Sequence, residues 1–130
     1  MNRVILAGRL AGRPKLSYTP CGIPVADFRL LVPREYRLAN GEEALERFDC
    51  VAFRDIAKEL TTWGDRDYRI NLEGRLRSET YRSLEGRLKE GVRVHTDYAY
   101  FLDPVAEGIG TDPRSAPHVP MPVAIVLRQS

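Results

Sequence analysis

The stretch from Arg69 to Tyr81, RINLEGRLRSETY, alternates with period two. Ile70, Leu72, Gly74 and Leu76 fall on one side; Arg69, Asn71, Glu73, Arg75, Arg77, Glu79 and Tyr81 fall on the other. That period marks a strand with one buried and one solvated face. Common strands run to about 5–6 residues, so this one is long. Its polar row carries three arginines and ends in a tyrosine, a chemistry suited to a ligand that is both anionic and flat.

The rest of the chain supplies four more strands and one helix. Asn2 to Ala11 is a strand-prone run on Val4, Ile5, Leu6 and Leu10, and Gly8 inside it marks a bulge or a close backbone approach. Tyr18-Thr19-Pro20-Cys21-Gly22 is turn chemistry. Val25 to Val32 sets Ala26, Phe28, Leu30 and Val32 against Val25, Asp27, Arg29 and Leu31. Pro33 to Glu46 is polar, contains the turn pair Asn40-Gly41, and reads as a long hairpin loop. Tyr36 stands near its base between Arg34 and Arg37.

Arg47 to Phe53 is the third strand, with Arg47, Asp49, Val51 and Phe53 on one face and Phe48, Cys50 and Ala52 on the other. Periodicity leaves open which face is buried. Arg54 to Thr62 is a helix with an apolar stripe of Ile56, Ala57 and Leu60, capped at Gly64. After the long strand, Arg82 to Gly91 forms a second hairpin with Gly86 at its tip, and Val92 to Leu102 is the fifth strand. Residues 104–118 read as a linker or loop, and the prolines of VPMPVAIVL confine any further strand to Val123–Leu127. An all-β chain of five strands, with one short helix between the third and fourth, has the order of the five-stranded Greek-key barrel of the OB-fold. The expected division is a barrel at residues 1–104 and a linker with an apolar end at 105–130.

Composition narrows the alternatives. No run approaches the roughly 18 apolar residues of a membrane span. The N-terminal apolar run is broken at Gly8-Arg9, too early for a signal peptide, so a cytoplasmic location is expected. Cys21 and Cys50 lack metal spacing and read as reduced thiols. His95 and His118 are isolated, and no nucleophilic triad, zinc spacing or phosphate-cradling glycine loop occurs. No catalysis, metal or cofactor is expected. The net charge is only +2, but residues 1–40 carry +5 and residues 66–93 carry +3. Seventeen of the 20 basic side chains are arginine, which binds phosphate through a planar fork and stacks on bases.

The segments NRVILAGRL, YTPCGIPVADFRL, FDCVAFRDIAKEL, INLEGRLRSETY and AYFLDP, in this order and spacing, resemble the bacterial single-stranded DNA-binding protein family across residues 1–104. The resemblance implies an OB-fold that coats single-stranded DNA with little sequence preference, as a homo-oligomer, a tetramer ahead of a dimer. It further implies base stacking at Tyr36, Phe53 and Tyr81. Arg47 stands where the family often has another aromatic, with Phe48 beside it. Arg75 and Arg77, next to Tyr81, and Arg34 and Arg37, around Tyr36, complete the expected DNA-binding set. The family's replicative members end in an acidic recruiting tail; this sequence has no acidic residue after Asp112, so recruitment by that route is not expected.

Two rivals share the pattern. The segment CGIPVADF also resembles the primosomal replication protein N family, dimeric OB-folds that act as adaptors in replication restart. A β-barrel module whose basic face meets an acidic protein would show the same charge rows. The long fourth strand favours the first resemblance.

Overall fold

The structure, a computed structural model, describes residues 1–103 and the backbone of residues 126–128. Its elements run β1 (Val4–Leu10), β2 (Lys15–Tyr18), β3 (Pro24–Arg37), β4 (Glu43–Phe53), α1 (Arg54–Trp63), β5 (Arg69–Arg82), β6 (Leu88–Phe101) and β7 (Val126–Arg128). The five long strands are β1, β3, β4, β5 and β6, and α1 lies between the third and fourth of them. This is the OB-fold order; β2 and β7 are short additions of four and three residues.

The sheet order is β1-β5-β6-β4-β3-β2, and β1 also pairs with β3. β1 runs along β5 from Val4↔Gly74 to Arg9↔Arg69, then meets β3 at Arg9↔Leu31 and Leu10↔Leu30. One strand thereby joins both sides of the sheet and closes it into a barrel. The changeover requires Gly8, because a Cβ there would lie 2.2 Å from the Leu31 carbonyl oxygen.

Alternation fills the interior. Leu10, Ala26, Phe28, Leu30, Cys50, Ala52, Ile70, Leu72, Val94, Ala99 and Phe101 form the buried cluster. Burying each of the larger ones stabilises the fold by about 1.5–3 kcal/mol. The open face choice in the third strand is settled: Cys50 and Ala52 point inward, and Phe48 packs against the same core. Helix α1 sets Ile56, Ala57 and Leu60 on that core. Its C-cap Gly64 is extended, φ −77°, and donates to the Leu60 carbonyl. Glycine is needed there for approach rather than for a left-handed turn, since a Cβ would sit 2.5 Å from that oxygen.

Three boundaries differ from the sequence reading. β3 and β4 extend through Arg37 and from Glu43, so most of the stretch 33–46 is paired strand and only Leu38–Glu42 turns. A register irregularity lies between Pro33 and Arg37; there Pro33, which has no N–H, can sit in a strand. β6 starts at Leu88 rather than Val92. These extensions project past the barrel, so no hydrophobic alternation advertises them. β2 is exposed at all four residues and carries no readable alternation. The linker assigned to 104–118 lies outside the described residues. A short strand was expected at Val123–Leu127; β7 runs Val126–Arg128 and pairs antiparallel with β6 at Tyr98–Tyr100.

Candidate nucleic-acid interface

Strand register assembles one outer face. Arg29 pairs with Asp49, Asp27 with Val51 and Val25 with Phe53 between β3 and β4. Val51 continues to His95 on β6, and His95 and Arg93 stand opposite Arg75 and Arg77 on β5. Lys89 stands opposite Tyr81. Directly paired residues share a face, so all of these project together. A bulge between Glu73 and Gly74 leaves Asp97 of β6 unmatched, and at Gly74 a Cβ would come within 2.1 Å of the His95 carbonyl oxygen.

Ion pairs lace the face. Arg93 donates to Glu79 at 2.7 Å and to Asp27 at 2.9 Å, and Glu79 also meets His95 Nε2 at 3.0 Å. Asp49 accepts from Tyr81 Oη at 2.7 Å and from Arg29 Nε at 3.1 Å, with Lys89 Nζ at 3.5 Å. Burial pushes the Asp49 carboxyl upward, but the bonds from Tyr81 and Arg29 outweigh it and hold it below the usual carboxylate range. Glu79 is likewise lowered, its burial outweighed by His95 and Arg93. Asp27 is raised, because burial there exceeds the pull of Arg93. Burial and the Asp49 bond push the Tyr81 hydroxyl up to about 12.

A groove opens beside this lattice. The parallel β4–β6 pairing holds only at Cys50↔Val94 and Val51↔His95, and beyond Cys50 the two strands part. The resulting groove of about 490 Å³ has Phe48, Leu76, Val92 and Val94 among its apolar lining, and Arg29, Arg47 and Lys89 among its cations. An apolar floor with a cationic margin can hold flat rings while pairing with the charges that link them.

Residues 1–102 match the single-strand binding protein family. The chain belongs to that family. It is 36% identical over 104 residues to single-stranded DNA-binding protein 1 of Staphylococcus aureus (strain COL), an alignment covering 80% of this chain and 62% of that one. It is 34% identical over 104 residues to single-stranded DNA-binding protein 2 of Listeria monocytogenes, covering 80% and 65%. Against single-stranded DNA-binding protein A of Bacillus subtilis (strain 168), identity is 33% over 104 residues, covering 80% and 60%. The chain thus spans less than two thirds of the length of these relatives.

The residues expected to bind DNA in a member of this family fall into three places. Arg47, Phe48 and Tyr81 line the groove. Arg47 is exposed and Phe48 half-buried, and Arg47 makes no ion pair among the described residues. Tyr81 is only 8% exposed, its hydroxyl on Asp49 and its ring covered by the Arg93 guanidinium 4.6 Å from the centroid. On the neighbouring part of β5, Arg75 is bound to Asp97 at 3.2 Å, whereas Arg77 is exposed and has no ion pair among the described residues. Phe53 sits at the far end of the face, half-buried, stacked on His95 with centroids 5.8 Å apart.

Tyr36, Arg34 and Arg37 stand apart on the β3–β4 hairpin. Tyr36 is 57% exposed; Arg34 pairs with Glu46 at 2.8 Å and Arg37 donates to the Gly41 carbonyl. Sequence reasoning passed over Arg29, Asp49, Lys89 and Arg93, which carry most of the polar lattice. Parity alone groups Arg29 with Asp27 and Asp49 with Arg47, and leaves open which face of the third strand is solvated; only the cross-strand register joins those rows. Among the described residues, no group of three or more His, Cys, Asp or Glu side chains could hold a metal ion.

Proposed function

We propose that the chain binds single-stranded DNA, largely without sequence preference, and protects it during replication, recombination and repair. The observation that carries this reading is the groove on a barrel of this family, with an apolar floor for bases and Arg29, Arg47 and Lys89 for phosphates. In this reading bases stack on Tyr36 and Phe53. Arg77, Arg75, Arg34 and Arg37 take the backbone on either side, and Tyr81 with Phe48 walls the groove. Each stack contributes about 1–3 kcal/mol, and the phosphate contacts make affinity fall with salt.

Residues 1–104 are the binding domain and 105–130 a linker and apolar end; the protein works in the cytoplasm, beside the nucleoid. Copies assemble, as a tetramer ahead of a dimer, through the outer face of β1, β5 and β6. Register places Ile5 and Tyr100 there on one side of the sheet, both exposed. The test is anisotropy of a labelled oligothymidylate against protein at several salt concentrations, with sedimentation equilibrium for mass. Saturable binding that weakens steeply with salt is expected; no binding at low salt refutes the reading.

A further inference from the structure

Arg29 is a positioned guanidinium at the edge of the groove. Its Nε is fixed by Asp49, itself only 15% exposed and held from behind by Tyr81 and Lys89. Its two terminal nitrogens form the free edge of the fork. That edge is met by both oxygens of one carboxylate, Nη1 to Glu85 Oε2 at 3.0 Å and Nη2 to Glu85 Oε1 at 3.3 Å. A phosphate presents the same pair of oxygens to the same fork.

The two carboxylates on Arg29 are unequal. Asp49 is seated in the sheet. Glu85 rides on the tip of the β5–β6 hairpin, 58% exposed, on a turn closed by the Gly86 to Ser83 and Ser83 to Arg87 backbone bonds. An exposed pair of this kind is weak and yields to a competing anion. Arg29 also lines the groove, so the oxygen pair of Glu85 stands where a DNA phosphate would enter.

We propose that Arg29 is a phosphate-binding residue of the groove and that Glu85 holds its phosphate position until a single strand displaces it. The proposal rests on the single-stranded DNA reading above. Asp49 acts through Arg29, keeping the fork aimed while its occupant changes. Binding then exchanges one anion for another at Arg29, so that contact adds little to the salt dependence of the wild-type protein. Removing Glu85 leaves the fork open and turns it into an ordinary phosphate contact.

The test uses the full chain, an oligothymidylate of about 16 nucleotides, and the variants Glu85→Gln, Glu90→Gln, Arg29→Lys and Glu85→Gln with Arg29→Lys. Glu90 lies on the same hairpin, exposed and without an ion pair among the described residues, so its variant controls for net charge. Glu85→Gln is expected to bind about 2- to 5-fold more tightly than Glu90→Gln. It should also steepen the slope of log affinity on log salt by about 0.7, the value of one single-strand phosphate. Arg29→Lys keeps the charge but loses the fork; it weakens binding and cancels the gain in the double variant. If the wild type binds but Glu85→Gln matches Glu90→Gln in affinity and slope, the assignment of Arg29 and Glu85 is overturned while the DNA reading stands. If neither the wild type nor Glu85→Gln binds at low salt, the DNA reading falls and takes the assignment with it.

Discussion

The β3–β4 and β5–β6 hairpins are built on one local plan. Each strand ends in Tyr-Arg, and each turn reaches a glycine four residues after that arginine: YRLANG at 36–41 and YRSLEG at 81–86. In the first, Gly41 donates to the Leu38 carbonyl and Leu38 to that of Glu42; in the second, Gly86 donates to Ser83 and Ser83 to Arg87. The glycines have φ of 86° and 85°. Arg37 caps the Gly41 carbonyl at 3.1 Å and Arg82 the Gly86 carbonyl at 3.0 Å. Yet Tyr36 stands in solvent and Tyr81 is covered. The difference lies outside the turns. Beneath Tyr81 the sheet offers Asp49 to its hydroxyl and Arg93 to its ring, and Glu85 at the tip reaches Arg29. At the matching tip position Asn40, among the described residues, bonds only within its own turn, accepting from the Glu42 N–H. Local sequence writes the bend; what lies beneath decides whether the aromatic is covered or open.

Truncating the two tyrosines pulls the comparison apart most widely. Tyr81→Ala empties a buried ring site and takes from Asp49 its shortest hydrogen bond, and is expected to lower stability by about 3 kcal/mol. Tyr36→Ala removes a solvated ring and should change stability by less than about 0.5 kcal/mol. In DNA affinity the Tyr36 variant is the clean one: a loss of about 1–3 kcal/mol with the fold intact. Urea unfolding followed by circular dichroism, beside oligothymidylate anisotropy, measures both. Equal stability losses would show that the covered and open states of the two rings are not distinct in solution.

Much of this is legible in the sequence. The row Ile70, Leu72, Gly74 and Leu76 followed from alternation, although Leu76 is exposed at the groove rather than buried, and Asn40-Gly41 and Gly86 marked both tips. Phe28, Leu30, Ile56 and Leu60 were readable as core from their spacing. The lattice was not, because it depends on register between strands distant in sequence. Asp27 to Arg93 and Asp49 to Tyr81 are long-range pairs, and a one-residue slip in the register between the strands that carry them would dissolve them. Nor was the groove legible. It exists because β4 and β6 pair at two positions and then part, a property of neither strand alone.

The lattice under Tyr81 makes the second hairpin sensitive to acid. Asp49 has a folded pKa below its ordinary value. Its contribution is therefore present above the unfolded value of about 3.9 and is lost as pH falls through the folded one. Asp49→Asn is expected to cost about 1.5–3 kcal/mol at pH 7, the worth of hydrogen bonds to a charged group. The gap to wild type should narrow steadily as pH drops below 4. The same substitution removes the negative charge from the acceptor that, after burial, does most to raise the Tyr81 hydroxyl, so its ionisation should move down from about 12 toward the ordinary value. Chemical denaturation at several pH values and ultraviolet titration of tyrosine give both readouts. A gap that stays constant with pH would remove Asp49 from the account of why the hairpins differ.

The finest test changes only what the hairpins share. At Gly41 and at Gly86 an added Cβ would meet nothing within 4 Å, so alanine there costs backbone strain and no clash. A left-handed residue other than glycine carries a penalty of roughly 1–2 kcal/mol, and an isolated turn would charge the same at both sites. If the turns are equivalent and independent, Gly41→Ala and Gly86→Ala lose the same stability at an unchanged denaturant slope. Strain at Gly86 also shifts the neighbouring Glu85 against Arg29, so its variant should lose slightly more, by no more than the few tenths to 1 kcal/mol of an exposed ion pair. That excess should vanish when both glycine variants are remade on a Glu85→Gln background. A larger excess, or one that survives there, would mean that the second tip is bound to the sheet by more than the Glu85 carboxylate.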